Sequence, residues 1–135
     1  MKHTLLTVLL MFGMAMPNFG VAQEAGISAV IRDQFADFAQ ADVEGAFAHA
    51  SPGLRLRFGT AQRFGEMVQR GYPMVWSAKD VAFGPLREIA GNLWQRVELR
   101  DAAGQIHYLD YKMIETAEGW KIDAVQLLEA PPPSV

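Results

Sequence analysis

The sequence predicts an α+β fold, three N-terminal helices packed on a curved antiparallel sheet, and three observations carry that prediction. Apolar residues recur at steps of three and four between Ile27 and Val68, the period of one helix face. Beyond Pro73 the period falls to two, as in strands. The alternating runs are divided by short linkers that each hold a glycine, the kind that joins antiparallel neighbours. Helices first and strands afterwards put the helices on one side of a sheet meander.

The chain has 135 residues, half of them apolar, enough for one domain with a sizeable core and too few for two. Lys2 and His3 precede an apolar run from Leu5 to Met16, followed by Pro17 and the small residues Gly20-Val21-Ala22. That is the layout of a secretory signal peptide, residues 1–22, cleaved after Ala22. The run is shorter than the ~20 residues a membrane-spanning helix needs. A periplasmic or secreted domain over residues 25–130 is therefore expected, with residues 131–135 as a proline-rich tail.

No cysteine occurs, which excludes disulfides, thiol nucleophiles, Cys-based metal sites and a lipid anchor on Cys. Losing residues 1–22 removes Lys2 and no acid, so the formal charge moves from −3 to −4. A mildly acidic surface without a Lys/Arg run is not built for nucleic acid or for anionic membranes. No stable membrane insertion is expected after cleavage.

The first helix runs from Ile27 and buries Ile27, Val30, Ile31, Phe35, Phe38 and Ala41. Gln34 sits at the border of that stripe and breaks it. Asp42 is placed to cap a second helix from Val43 to about Ala50, which Ser51-Pro52-Gly53 ends. Leu54-Arg55-Leu56-Arg57-Phe58 alternates and reads as a half-buried extended segment. Thr60 caps a third helix, with Ala61, Phe64, Met67 and Val68 on one face and Gly71 and Pro73 at its end. Met74 to Ser77 reads as a short strand. Val81 to Ile89, interrupted by Gly84-Pro85, reads as a bent or bulged edge strand. Gly91-Asn92 is the next turn.

Three longer strands follow, Leu93 to Arg100, Gln105 to Glu115 and Trp120 to Leu128. A loop with a left-handed glycine pairs Asp101 with Gln105, which sets Arg96 against Asp110 and Gln95, Val97 and Leu99 against Tyr111, Leu109 and His107. The same rule pairs Thr116 with Trp120, Glu115 with Lys121 and Met113 with Asp123. On this register neither sheet face is polar throughout, so both need cover. Helices are expected on one face and, on part of the other, the second copy of a homodimer.

Residues Ile27 to Phe47 and the run Glu118-Gly119-Trp120-Lys121-Ile122 resemble the opening helices and final strand of the nuclear transport factor 2-like superfamily, also called SnoaL-like or ketosteroid-isomerase-like. More narrowly, Gln34-Phe35, Asp42, Ala46-Phe47, Ala50-Ser51-Pro52, Phe58-Gly59, Met67-Val68 and Tyr72-Pro73 resemble a proteobacterial secreted domain of unknown function, DUF 4864. The superfamily resemblance implies a cone-shaped domain that encloses an apolar pocket, often in a homodimer. It implies no single chemistry. In ketosteroid isomerases a tyrosine on the first helix stabilises an enolate and an early aspartate moves the proton. Here Gln34 fills the tyrosine position and Leu54 to Gly59 holds no acid, so that mechanism does not carry over.

Candidate ligand-binding residues for the pocket are Gln34, Tyr72, Trp76, Gln95, His107 and Tyr111. The chain's function is expected to be binding of a small hydrophobic ligand or peptide there, or service as an interaction module. The alternative is a small lyase or isomerase with His107 as base and Asp123 orienting it. No histidine pair has metal-ligand spacing and no phosphate-binding loop or nucleophile elbow occurs, so neither a metal nor a cofactor is expected.

Overall fold

A computed structural model of the chain describes residues 19–129. Most of the expected signal peptide and the whole proline-rich tail lie outside the described residues. Five helices precede four strands: α1 (Phe19–Ala39), α2 (Val43–Ala48), α3 (Pro52–Phe58), α4 (Ala61–Gly71), α5 (Pro73–Trp76), β1 (Lys79–Ile89), β2 (Asn92–Arg100), β3 (Ile106–Thr116) and β4 (Gly119–Leu128). The strands form one open antiparallel sheet in the order β1-β2-β3-β4. Among the described residues no helix is long and apolar enough to cross a membrane.

The core lies between α1 and the sheet. Ile27, Ile31 and Phe38 of α1 are almost fully buried against a layer that includes Val97, Leu99, Leu109, Tyr111, Met113 and Ile122. Removing that much apolar surface from water is the main force holding the layers together. Ala41, expected in the stripe, instead falls in the turn after α1 with φ 54° and is exposed. The Asp42 carboxylate accepts from Gly45 N at 3.0 Å and caps α2.

Two segments expected to be extended are helical. In Pro52–Phe58 the Ser51 hydroxyl accepts from Leu54 N at 3.2 Å, proline takes the first turn, and Gly59 ends the helix at φ 79°. These capping signals outweigh the alternation of Leu54, Leu56 and Phe58. Leu54 and Phe58 are four apart and share a helix face, while Leu56 is left 85% exposed. Likewise Pro73 starts the four-residue α5, which buries Met74 and Val75 where a short strand was expected.

The β2–β3 register is as predicted, with Arg96 opposite Asp110, Leu99 opposite His107 and Gln95 opposite Tyr111. The edge strand β1 is irregular at two places, between Lys79 and Ala82 and between Phe83 and Leu86, the second at Gly84-Pro85. Its turn is Ala90-Gly91, both at positive φ, one residue earlier than expected.

The β3–β4 turn departs from prediction by one residue. Thr116 pairs with Gly119, at φ 100°, so Met113 faces Ile122 and not Asp123. A bulge between Lys112 and Met113 then absorbs Asp123 and restores the register at Tyr111 and Val125. Ile122 consequently enters the core and Asp123 leaves the ladder. The chain around Ala50 joins the free edge of β4 there, with Ser51 N donating to Ile122 O and Ile122 N to His49 O. That closes part of an edge that would otherwise leave backbone groups unpaired.

Candidate functional site

A cavity of about 420 Å³ opens between α1, α3, α4 and the β4 side of the sheet. Phe38, Leu54, Phe58, Phe64, Met67 and Val125 give it an apolar wall. Its aromatic side is built by clustering: Phe64 lies 6.0 Å from Phe38, 5.4 Å from Phe47 and 5.7 Å from Phe58, ring centre to ring centre. The α3 helix supplies Leu54, Arg57 and Phe58, so the capping that makes this segment helical also makes the cavity's third side.

Gln34, Tyr72 and Tyr111 line this cavity; Trp76, Gln95 and His107 do not. Gln34 Nε2 donates to Ala46 O at 3.0 Å and so ties α1 to α2 from a buried position. The Tyr72 hydroxyl reaches Val125 O at 3.4 Å, a long contact that links α4 to β4. Tyr111 is 1% exposed, its ring set edge-on to Phe35 at 6.0 Å, and its hydroxyl has no hydrogen-bond partner. Burial, and then the neighbouring Tyr72, push the Tyr111 phenol well above its ordinary pKa, so it stays an O–H donor.

The other three have structural work. Trp76 packs on Phe38 at 5.6 Å. Gln95 Nε2 donates to Gly84 O at 2.8 Å and pins the β1 irregularity. His107 Nε2 stands 2.8 Å from Asp101 Oδ2 inside its own hairpin. The hydrogen bond to His107, with others from the Gln105 and Ala103 amides, lowers the Asp101 carboxyl's pKa against opposing desolvation.

The second catalytic candidate is elsewhere. Asp123 lines the cavity, but its Oδ1 accepts from Ser51 Oγ at 2.7 Å and its Oδ2 faces Lys112 Nζ at 3.3 Å. His107 and Lys112 are five residues apart on β3, about 17 Å at strand spacing. His107 and Asp123 are thus not brought into one pair, and among the described residues no histidine lines the cavity. The Ser51 hydroxyl has a carboxylate and a capping amide as partners and no imidazole, which suits a clamp between α3 and β4. Among the described residues no group of three or more His, Asp or Glu is placed to hold a metal ion. What remains is a mostly apolar chamber whose wall also holds Gln34, Arg57, Tyr72, Asp123 and the unpaired hydroxyl of Tyr111.

Sequence reasoning missed Leu54, Arg57 and Phe58 as wall residues, although Ser51-Pro52 ahead of them and Gly59 after them were a readable helix start and stop.

A family model described as a domain of unknown function, DUF4864, matches residues 21–135. No curated protein matches the chain. Among solved structures, the phospholipid-binding protein from Ralstonia solanacearum, in complex with a phospholipid, is similar at 16% identity and a TM-score of 0.44. The similarity covers 78% of this chain and 77% of that one.

Proposed function

We propose that this chain, which belongs to the DUF4864 family, is an exported domain that takes a small apolar molecule, or an apolar peptide side chain, into the cavity beside β4. The cavity itself carries the proposal: about 420 Å³ walled by Phe38, Leu54, Phe58, Phe64, Met67 and Val125. Sites for small molecules have this size and this lining. Interiors otherwise close to crystal-like density, because apolar side chains facing an empty space lose contacts. An occupant restores them.

Three further parts belong to the same proposal. Residues 1–22 direct export, on the strength of their charged start, apolar run and small-residue end. The helices and sheet form a nuclear transport factor 2-like cone, a reading supported by helices gathered on one sheet face with a chamber between. A second copy covers the other sheet face in a homodimer; a strict monomer at high micromolar concentration in light scattering would remove this part.

Binding is tested with 2-ethylnaphthalene, an apolar probe small enough for the chamber, in a fluorescence titration of the protein without residues 1–22. Wild type is expected to bind it, and Met67→Trp, which fills the chamber from α4, is expected to weaken binding at least tenfold. No binding to wild type, or equal binding to both, would sink the proposal. Native mass spectrometry of protein taken from its own periplasm identifies what the cavity carries there.

A further inference from the structure

Three buried side-chain polar atoms among the described residues have no hydrogen-bond partner: Arg55 Nε, Arg87 Nε and Tyr111 Oη. Only Tyr111 belongs to the cavity wall. Its residue is 1% exposed, so neither bulk water nor a protein group serves the hydroxyl. A buried hydroxyl without a partner is unfavourable, and a native fold retains one where something else completes it. Three other polar residues of the wall already have partners of their own. Gln34 donates to Ala46 O, Tyr72 donates to Val125 O, and Asp123 is held by Ser51 and Lys112. The phenol is a donor in want of an acceptor, set in a wall that is mostly apolar but also holds Gln34, Arg57, Tyr72 and Asp123.

We propose that the cavity selects apolar carbonyl compounds, such as ketones, esters or protonated acids, whose oxygen accepts a hydrogen bond from Tyr111 Oη. This rests on the apolar-ligand reading above and adds the chemical class of the ligand. The rest of the molecule is recognised by shape and burial against Phe38, Phe58, Phe64 and Val125. Selection arises because a hydrocarbon of the same shape leaves the hydroxyl unpaired, whereas a carbonyl satisfies it.

The test compares 2-acetylnaphthalene with 2-ethylnaphthalene, a matched pair that differs in the carbonyl oxygen. Wild type is expected to bind both and to prefer the ketone by roughly tenfold, the worth of one hydrogen bond. In Tyr111→Phe the preference for the ketone over 2-ethylnaphthalene is expected to vanish. Because the deleted hydroxyl has no partner in the free protein, Tyr111→Phe is also expected to melt at or above the wild-type temperature by circular dichroism. Equal affinity of wild type for the two probes overturns the carbonyl selection and leaves the cavity reading standing. So does a ketone preference that survives in Tyr111→Phe. Failure of both probes to bind removes the cavity reading and this inference with it.

Discussion

Gln34 and Asp123 mark the limits of single-residue reading. In the sequence Gln34 interrupts an apolar stripe without local reason, and the fold supplies one: its amide donates to Ala46 O at 3.0 Å from a position only 4% exposed. Periodicity located the residue, but its partner, twelve positions away on another helix, was not legible in α1 alone. Asp123 was set opposite Met113 because the turn before it was taken one residue too long, and a bulge then hid the error from the rest of the strand. His107 was legible as facing Leu99, yet its Asp101 partner sits in the loop, where strand alternation has no say. If Gln34 is a tie between helices, Gln34→Leu should lower stability by about 1–2 kcal/mol. Ala46 O loses a donor there but keeps His49 N at 3.2 Å, which bounds the loss. Urea denaturation checks this, and the midpoint should fall with an unchanged slope.

The α3 helix joins the edge of the sheet to the cavity through Ser51. That one hydroxyl accepts from Leu54 N and donates to Asp123, so it caps the helix and fastens it to the β4 bulge. Ser51→Ala should cost about 1–2 kcal/mol for the cap alone. It should also weaken 2-ethylnaphthalene binding, since Leu54 and Phe58 ride on the same helix; an unchanged affinity would separate α3 from the site. The α2–α4 contact offers a cleaner case. A Cβ added at Gly65 would come within 2.5 Å of Val43 Cγ1. Alanine is the better helix former by about 1 kcal/mol, and crowding of about 1–3 kcal/mol opposes it. Gly65→Ala should therefore be neutral to destabilising, and combining it with Val43→Ala should recover more stability than the two single changes predict. Additive losses in that double-mutant cycle would show that the helices simply move apart. Propensity and caps made α2 and α4 readable, whereas the close approach at Gly65 is a tertiary fact that no helix pattern contains.

At the scale of the molecule, helix-first order and glycine turns were enough for the α+β class and the meander, because those depend on local signals repeated along the chain. The cavity depends on how far the helices stand from the sheet, which no local signal sets. The outer sheet face holds a feature that links the strands: Asp110 on β3 receives Arg96 Nε of β2 at 2.8 Å and Arg87 Nη2 of β1 at 2.7 Å. Burial pushes the Asp110 carboxyl up, but the hydrogen bonds and charges of Arg96 and Arg87 outweigh it and hold it below the ordinary value of 3.8. A carboxyl depressed on folding contributes stability above its unfolded pKa, and that contribution is lost as pH falls through the folded value. Asp37 has the opposite sign. Burial raises its pKa despite the nearby His49, so its share of stability is present in acid and fades as pH rises through the folded value. The urea midpoint should therefore decline below about pH 4 as Asp110, and with it the likewise depressed Asp101, takes up its proton. Asp110→Asn should lower the midpoint at pH 7 and flatten the acid decline. Asp37→Asn should leave the decline steeper than in wild type, because the opposing contribution is gone. An acid decline unchanged in Asp110→Asn would place the acid sensitivity outside the link between β1, β2 and β3.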